Sequence, residues 1–596
     1  MGKKGIVLAV CMMVLSVILV LTAVYFSGLV TEKRVADNEK YALEALSLVE
    51  AGANHARAEL RKRIRIGMKD RLLTVTQSSA ISDYVTANNP LGFLRDYAYA
   101  PGETQFTILD NNRAVFSITP LSLDTAIPGS YAANIVVQAN GAPTTWQGIE
   151  SYTFYYTYTI DATGTVMGIG KNIALLGGTF EITVTRLNFA KYALFTFNHL
   201  TPDGTTVWFT SNTNFTGPVR TNQYFSFIGN PSGHFTEIVE QSNAAACYYN
   251  DRNGDGRGDP LFLDADYNSY INSQTQQEVF VDKPTFDKGF DRSQPAITLE
   301  TSVSQSDLKK QALGGSLSNE PSSNGIYVIA DSGMNITGGI YIKCQTSGRH
   351  YSDDDPTISM SVGSSGPLYE IKSGSTTKKI SVNYGTNQTS VETVGTGTVT
   401  YNGVPDGASN SGIVIYSNDI ITSFSGTVEG NSKVTVSSEK DIVITNNVKY
   451  QNYTPDNLAT PANELSAINS TTGLPYTNVL GIISWGGNVR ISNNAPSNIN
   501  VHGIVMAPTG VFTVDNYDTI GDRGIANILG GVITNYYGAF GTFGGWRGAT
   551  GYGRNFVYDS RMLEGRTPPY FPYISNFGCD DKNTLNGILT WQDKGG

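Results

Sequence analysis

A chain of 596 residues is longer than one hydrophobic core organises and calls for about two to four domains. Hydrophobic residues make up 40% and charged residues only 15%, with Gly, Tyr, Thr, Ser and Asn standing where a helical cytosolic enzyme carries Glu and Lys, which is the composition of a β-rich surface protein. A net charge of -10 and a pI near 5.1 exclude a general nucleic-acid binder, and Cys11, Cys247, Cys344 and Cys579 offer no zinc spacing and at most one disulfide among the last three.

After Lys3, Lys4 and Gly5 an apolar run extends from Ile6 to about Val30, long enough to cross a hydrocarbon core of about 30 Å as a helix. It is longer than the apolar region of a secretory signal and is followed by Thr31-Glu32-Lys33-Arg34, not by a small-residue cleavage site. Charge does not orient it, because Lys3 and Lys4 are matched by Lys33 and Arg34. No proline interrupts the chain from Val30 to Ile64, and Ala42, Leu46, Val49, Ala53, Ala56 and Leu60 recur at helical spacing. One continuous helix is therefore expected, apolar all round in its first half and amphipathic in its second. The basic run Arg57, Arg61, Lys62, Arg63, Arg65, Lys69 and Arg71 over its end reads as a solvated or head-group-facing surface.

This N-terminus resembles that of type IV pilins and pseudopilins. Lys3-Lys4-Gly5 before Ile6 matches a short basic leader ending in Gly, which implies cleavage between Gly5 and Ile6 by a prepilin peptidase and methylation of the new amine. Glu50, Ala51 and Gly52, within Ala45–Gly52, match a helix motif of the PilX-type minor pilins, with Arg34 and Asn38 at comparable places upstream. The resemblance covers about the first sixty residues. Ile6 stands where most pilins have Phe, and Val10 where major pilins carry a glutamate that pairs with a neighbouring subunit's amine. An apolar residue there resembles the tip-type minor subunits. A plain uncleaved N-terminal anchor remains the alternative.

From Gln105 to Thr185 the segments 105–108, 114–118, 152–160 and 180–185 alternate β-branched or aromatic residues with polar ones between Gly, Pro and Asn, as antiparallel strands do. Asn250–Asp259 then carries explicit chemistry. Asp251, Asn253, Asp255, the carbonyl of Arg257 and Asp259, with Gly256 for the turn, reproduce the liganding positions of an EF-hand-type loop for Ca²⁺. Phe262 occupies the position of the closing glutamate, so closure falls to Asp264 or Asp266. An Asx/Gly turn without metal uses the same residues. The Arg257-Gly258-Asp259 tripeptide is taken as coincidental.

Beyond a polar, helix-tolerant stretch at 296–315, short alternating segments are punctuated by Gly and Asn: 325–329, 339–342, 433–436, 441–444, 488–491, 503–506 and 531–534. Strands this short suit a β-solenoid, with a β-sandwich as the alternative. Residues 551–559 and 568–572 are expected to be irregular and to cap the last coil. This region looks like the large β domain attached to some PilX-like bacterial proteins. His55, His199, His234, His350 and His502 have no ligand spacing, and Asp353, Asp354 and Asp355 before Pro356 read as a solvated loop and not as a glycosidase's carboxylate pair.

The expected fold is α+β: a leader (1–5), a membrane half-helix (6–30), an amphipathic half-helix (31–72), a pilin-like antiparallel β region (73–230), a linker with the calcium loop (231–295) and an all-β, solenoid-like domain (296–596). The expected role is structural, not enzymatic: a minor subunit at or near the tip of a type IV pilus or related filament. Its implied partners are other pilin subunits, prepilin peptidase, the bacterial inner membrane before assembly and a surface ligand, with no nucleic acid. A membrane-anchored adhesin outside any filament, or a carbohydrate-active solenoid enzyme, are the competing readings.

Overall fold

A computed structural model describes residues 3–74, 91, 106–110, 112–122, 128–141, 144–145, 151–210, 213–228, 233–250, 259–263, 269–271, 278–280, 284–345, 354–453, 476–545, 548–563, 565–580 and 590–593. The chain divides into two compact units, Met1–Arg186 with Ser575–Gly596, and Leu187–Ile574.

In the first unit, helix α1 spans Lys3–Thr74 without a proline to break its hydrogen-bond ladder. Its apolar first half is exposed on every side, whereas Ala45, Leu48, Val49, Ala53, Ala56 and Leu60 are buried. Val49, Ala53, Ala56 and Leu60 are thus buried as expected, and the stripe differs at its start: Ala42 is only partly covered and Leu46 is 36% exposed, with Ala45 and Leu48 buried instead. The reason lies in the sheet opposite. A Cβ added to Gly164 would meet the Ala45 carbonyl oxygen at 2.5 Å and the Val49 nitrogen at 2.8 Å, so the helix touches the strand backbone along its smallest residues. Farther along, Arg63 is only 3% exposed; its guanidinium lies 3.7 Å over Phe116 and its Nε is 3.2 Å from Glu59 Oε2.

The sheet is an antiparallel meander of β1 (Thr107–Asp110), β2 (Arg113–Ser122), β3 (Gly129–Ala139), β5 (Ser151–Val166) and β6 (Ile169–Asn188), with β4 (Thr144–Thr145) on β5. The segments Tyr573–Asp580 and Thr590–Asp593 also pair with β6. Alternation places Tyr131, Ala133, Ile135 and Val137 of β3 and Phe154, Tyr156, Tyr158 and Ile160 of β5 in one core with α1. Met167 and Gly168, both at positive φ, make the two-residue turn between β5 and β6.

The second unit is built on parallel ladders. In one, Ile340, Ile415, Val436, Ile482, Val505, Val532, Leu194, Val219, Val239 and Phe290 stack in register. In a second, Ile358, Phe424, Ile444, Ile491 and Val514 do the same. Phe209, Phe227 and Tyr248 form a third row, and Phe215, Phe235 and Phe286 a fourth. Each strand hides an apolar side chain against the rung above and below, which is why short segments suffice. Antiparallel strands end the rows: Gly325–Ala330 and Pro367–Ser373 at one end, Asp259–Leu263 at the other. Helix α2 (Thr301–Ala312) occupies the polar stretch that the sequence leaves open to helix, and packs on Ile336–Lys343 and Ile413–Ser417.

Three sequence expectations change. Residues 187–230, expected in the pilin-like region, and 231–295, expected as a linker, are rungs of the second unit. Gly548–Val557 is a strand paired in parallel with Asp522–Thr534, because its backbone completes a rung even where Gly and Arg break the apolar alternation. The Pro568–Pro572 segment runs beside the stack instead of capping it, with Tyr570 Oη donating to the Asp406 carbonyl and Thr435 Oγ1 donating to that of Pro569.

Candidate functional site

The first candidate is the apolar half of α1. Gly5 and Ile6, the expected processing pair, lie on the helix; Ile6 is 59% exposed and Val10 54%. The helix is long and apolar enough to cross a membrane. Such a surface is stable only against lipid or other apolar helices. Within the expected helix motif, Glu50 is exposed, Ala51 half-buried and Gly52 buried, where an added Cβ would touch the Tyr131 ring at 3.0 Å. One turn on, His55 Nδ1 lies 2.9 Å from Tyr131 Oη. The motif thus fits the helix to β3.

The second candidate is the calcium loop. Ala246–Asn250 and Asp259–Leu263 form an antiparallel hairpin with Asn250 opposite Asp259. Asp251, Asn253, Asp255, Arg257 and Asp264 lie outside the described residues. The pairing brings the two ends of the acidic segment to one strand spacing, as a loop wrapped around a single ion requires, although strands and not EF-hand helices enter and leave it. Among the described residues no group of three or more His, Cys, Asp or Glu could hold a metal ion.

The remaining titratable groups are mostly engaged in the fold. Lys309 Nζ bridges Glu320 at 3.1 Å and Glu439 at 3.2 Å, and Tyr416 Oη donates to Glu439 at 3.0 Å, fastening α2 to the ladder. Desolvation lowers the Lys309 ammonium's pKa, but its two carboxylate partners outweigh it and hold the net value above the usual one. Arg490 joins Asp441 at 2.8 Å and Asp515 at 2.7 Å across neighbouring rungs. His199 and His502 are fully buried, and burial pushes both down to about 3. His234 pairs with Asp287 at 2.9 Å, and His350 lies outside the described residues. Cys247 and Cys344 are buried free thiols, the latter pushed up to about 12 by burial. Of the three consecutive acids, Asp353 lies outside the described residues. Asp354 accepts from Ser373 Oγ through its main-chain oxygen at 2.7 Å, and Asp355 is only 9% exposed.

One grouping has no counterpart in the sequence expectations. Trp208, Ser226, Cys247 and Phe262 are directly opposite one another on successive strands. Phe209, Phe227, Tyr248 and Leu261, each one residue away, are buried in the core, so the first row lies on the opposite face of the sheet, where Ser226 and Cys247 are covered and Phe262 is exposed. Trp208 and Tyr249 meet edge to face at 5.8 Å, and Tyr224 and Phe262 at 5.2 Å. Alternation within 206–210 and 260–263 is too short a signal to single these rings out.

A family model described as a domain of unknown function (DUF4900) matches residues 151–247. The match covers β5, β6 and the first rungs of the second unit, including Trp208, Tyr224 and Cys247. No curated protein and no solved structure matches the chain.

Proposed function

We propose that this chain is a structural, non-enzymatic, pilin-like subunit. In this reading the apolar half of α1 sits in the bacterial inner membrane and then in a filament core of the type IV pilus kind, and the second unit is displayed outside the cell. The observation that carries it is the form of α1: one unbroken helix, Lys3–Thr74, bare and apolar in its first half and seated on an antiparallel meander through small residues in its second. A secretory signal alone would not need the second half, and a buried core helix would not leave the first half bare.

Val10 supports a place at or near the tip. A carboxylate inside an apolar filament core is stable only if a neighbour's amine neutralises it, and a subunit with nothing ahead of it lacks that neighbour. The stacked parallel ladders with antiparallel caps support a β-solenoid for the second unit, a rigid stalk suited to presenting a surface ligand site. The hairpin closed by Asn250 and Asp259 supports a Ca²⁺ loop whose ion would be held by Asp251, Asn253, Asp255, the Arg257 carbonyl, Asp259 and Asp264. Bound there, Ca²⁺ supplies neutralisation of clustered carboxylates.

Intact mass of the protein recovered from membranes of cells with an active prepilin peptidase tests the assignment. The expected chain begins at Ile6, and Gly5→Val leaves it unprocessed. A wild-type chain still beginning at Met1 would mark a plain anchored surface protein and refute the pilin reading.

A further inference from the structure

We propose that the outward aromatic face built on Trp208, Tyr224, Tyr249 and Phe262 is a binding platform for the pyranose rings of a polysaccharide. This goes beyond the filament assignment and stands whether or not α1 enters a filament.

The geometry is fixed by the ladder. Trp208, Ser226, Cys247 and Phe262 occupy the same position on four neighbouring strands, so at about 4.8 Å per strand Trp208 and Phe262 are roughly 14 Å apart. Tyr249 lies two residues beyond Cys247 on its strand, and Tyr224 two residues before Ser226. The ring contacts therefore run diagonally: Trp208 reaches across the Ser226 strand to Tyr249, and Tyr224 across the Cys247 strand to Phe262. Beneath these diagonals sit the two small side chains, with Ser226 1% and Cys247 2% exposed. Within each pair the ring planes are nearly perpendicular, 87° and 79°, so one ring turns its edge to the face of the other. Phe262 nevertheless remains 52% exposed, and Trp208, Tyr224 and Tyr249 are half-buried.

This chemistry selects a sugar. The axial C–H groups on a pyranose face carry partial positive charge and pack on the negative face of an aromatic ring, while its equatorial hydroxyls need hydrogen-bond partners at the ring edges. Two of the four rings bear phenol hydroxyls and a third an indole N–H, so apolar faces and polar edges alternate along the platform. None of the six residues is charged, and the chain carries a net charge of -10, which opposes a nucleic acid that would otherwise use stacked rings. Because Trp208, Tyr249 and Phe262 stand on paired strands, these three rings lose little conformational freedom on binding.

The full-length protein in detergent micelles is tested for retention on insoluble chitin, cellulose and peptidoglycan sacculi against plain beads. Soluble chitohexaose and cellohexaose are then titrated by tryptophan emission. At least one polysaccharide is expected to retain the wild type. Trp208→Ala and Phe262→Ala should each weaken that binding at least tenfold with an unchanged melting temperature, whereas Met334→Ala, an exposed apolar residue elsewhere in the unit, should bind as the wild type does. Retention on none of the three, equal binding by both aromatic variants, or preferential capture of single-stranded DNA would each overturn the proposal.

Discussion

The two buried histidines of the second unit, His199 just beyond the strand Leu194–Thr196 and His502 on Asn500–Ala507, should make it acid-labile, and His199 allows that to be measured. Its ring is fully buried among Phe209, Phe225 and Tyr537, with centroids 4.8, 4.7 and 5.5 Å away. Its Nδ1 is 3.3 Å from Thr196 Oγ1, and among the described residues its Nε2 has no hydrogen-bond partner. Burial, helped by the nearby Arg554 charge, lowers its pKa to about 3. A folded-state value below the unfolded one of about 6.5 means that the unfolded chain binds the proton first. Stability is therefore complete above about pH 6.5 and is lost as pH falls toward 3. At pH 5 the loss is set by the unfolded value, and one and a half pH units at about 1.36 kcal/mol each give ~2 kcal/mol. His502, also about 3, adds a similar amount, while the carboxyl of Asp406, pushed up by burial, acts in the opposite direction. His199→Phe is the informative variant. His502 Nδ1 accepts the Tyr450 amide at 3.1 Å, and replacing that ring would orphan a buried N–H. Urea unfolding of the full-length protein in detergent at pH 7 and pH 5 reads the effect. Tryptophan emission serves as the signal because Trp485 is buried in the ladders, its Nε1 donating to Ser437 Oγ at 2.8 Å. The wild type should lose about 4 kcal/mol between the two pH values and His199→Phe about half of that. A variant that loses as much as the wild type would refute the burial argument.

Gly164→Val puts a side chain against the α1 backbone at Ala45 and Val49, and the overpacking should cost about 1–3 kcal/mol. It should speed proteolysis of the first unit while leaving the Trp485 transition in place; an unchanged digestion rate would show that helix and sheet are not in contact there. Millimolar Ca²⁺ at about ten times its Kd should stabilise the protein by ~1.4 kcal/mol, visible as a higher Tm, and Asp251→Ala/Asp255→Ala should abolish the rise. An equal rise in the double variant would leave only an Asx turn at that hairpin.

Helix α1 was legible because hydropathy and the absence of proline act locally, and the seven alternating segments from 325 to 534 all fall on strands or at their first residues. The start of the buried α1 stripe was not, although Val49, Ala53, Ala56 and Leu60 fall on it as expected. Leu46 is the more apolar residue, but Ala45 is the one buried, and the choice is made by a glycine 119 positions away in the chain. The partners of the rungs were equally hidden. Val532 pairs with Leu194, and no local pattern encodes a register between segments so distant. Asn555 illustrates the same limit: in a Gly-rich stretch it reads as loop, yet its Nδ2 donates to Asn527 Oδ1 at 3.2 Å on the neighbouring rung.

That Val532–Leu194 pairing also explains the order of the second unit. The chain enters the stack at Leu194 and proceeds through Val219 and Val239 to Phe290. It resumes at Ile340 and comes back through Val505 to Val532, on the free side of Leu194. Entry and exit thus fall in the interior of the ladder, whose Ile340 end is closed by the antiparallel strand Gly325–Ala330. An open parallel edge is a template for pairing with other chains, so the strand ending in Thr534 both completes the core and blunts the edge at Leu194–Thr196. The same layout lets β6 and Tyr573–Asp580, neighbours in the first unit's sheet, serve as the departing and returning strands. Insertion of a large unit costs little when its ends are already adjacent, because the host sheet pays no extra loop closure.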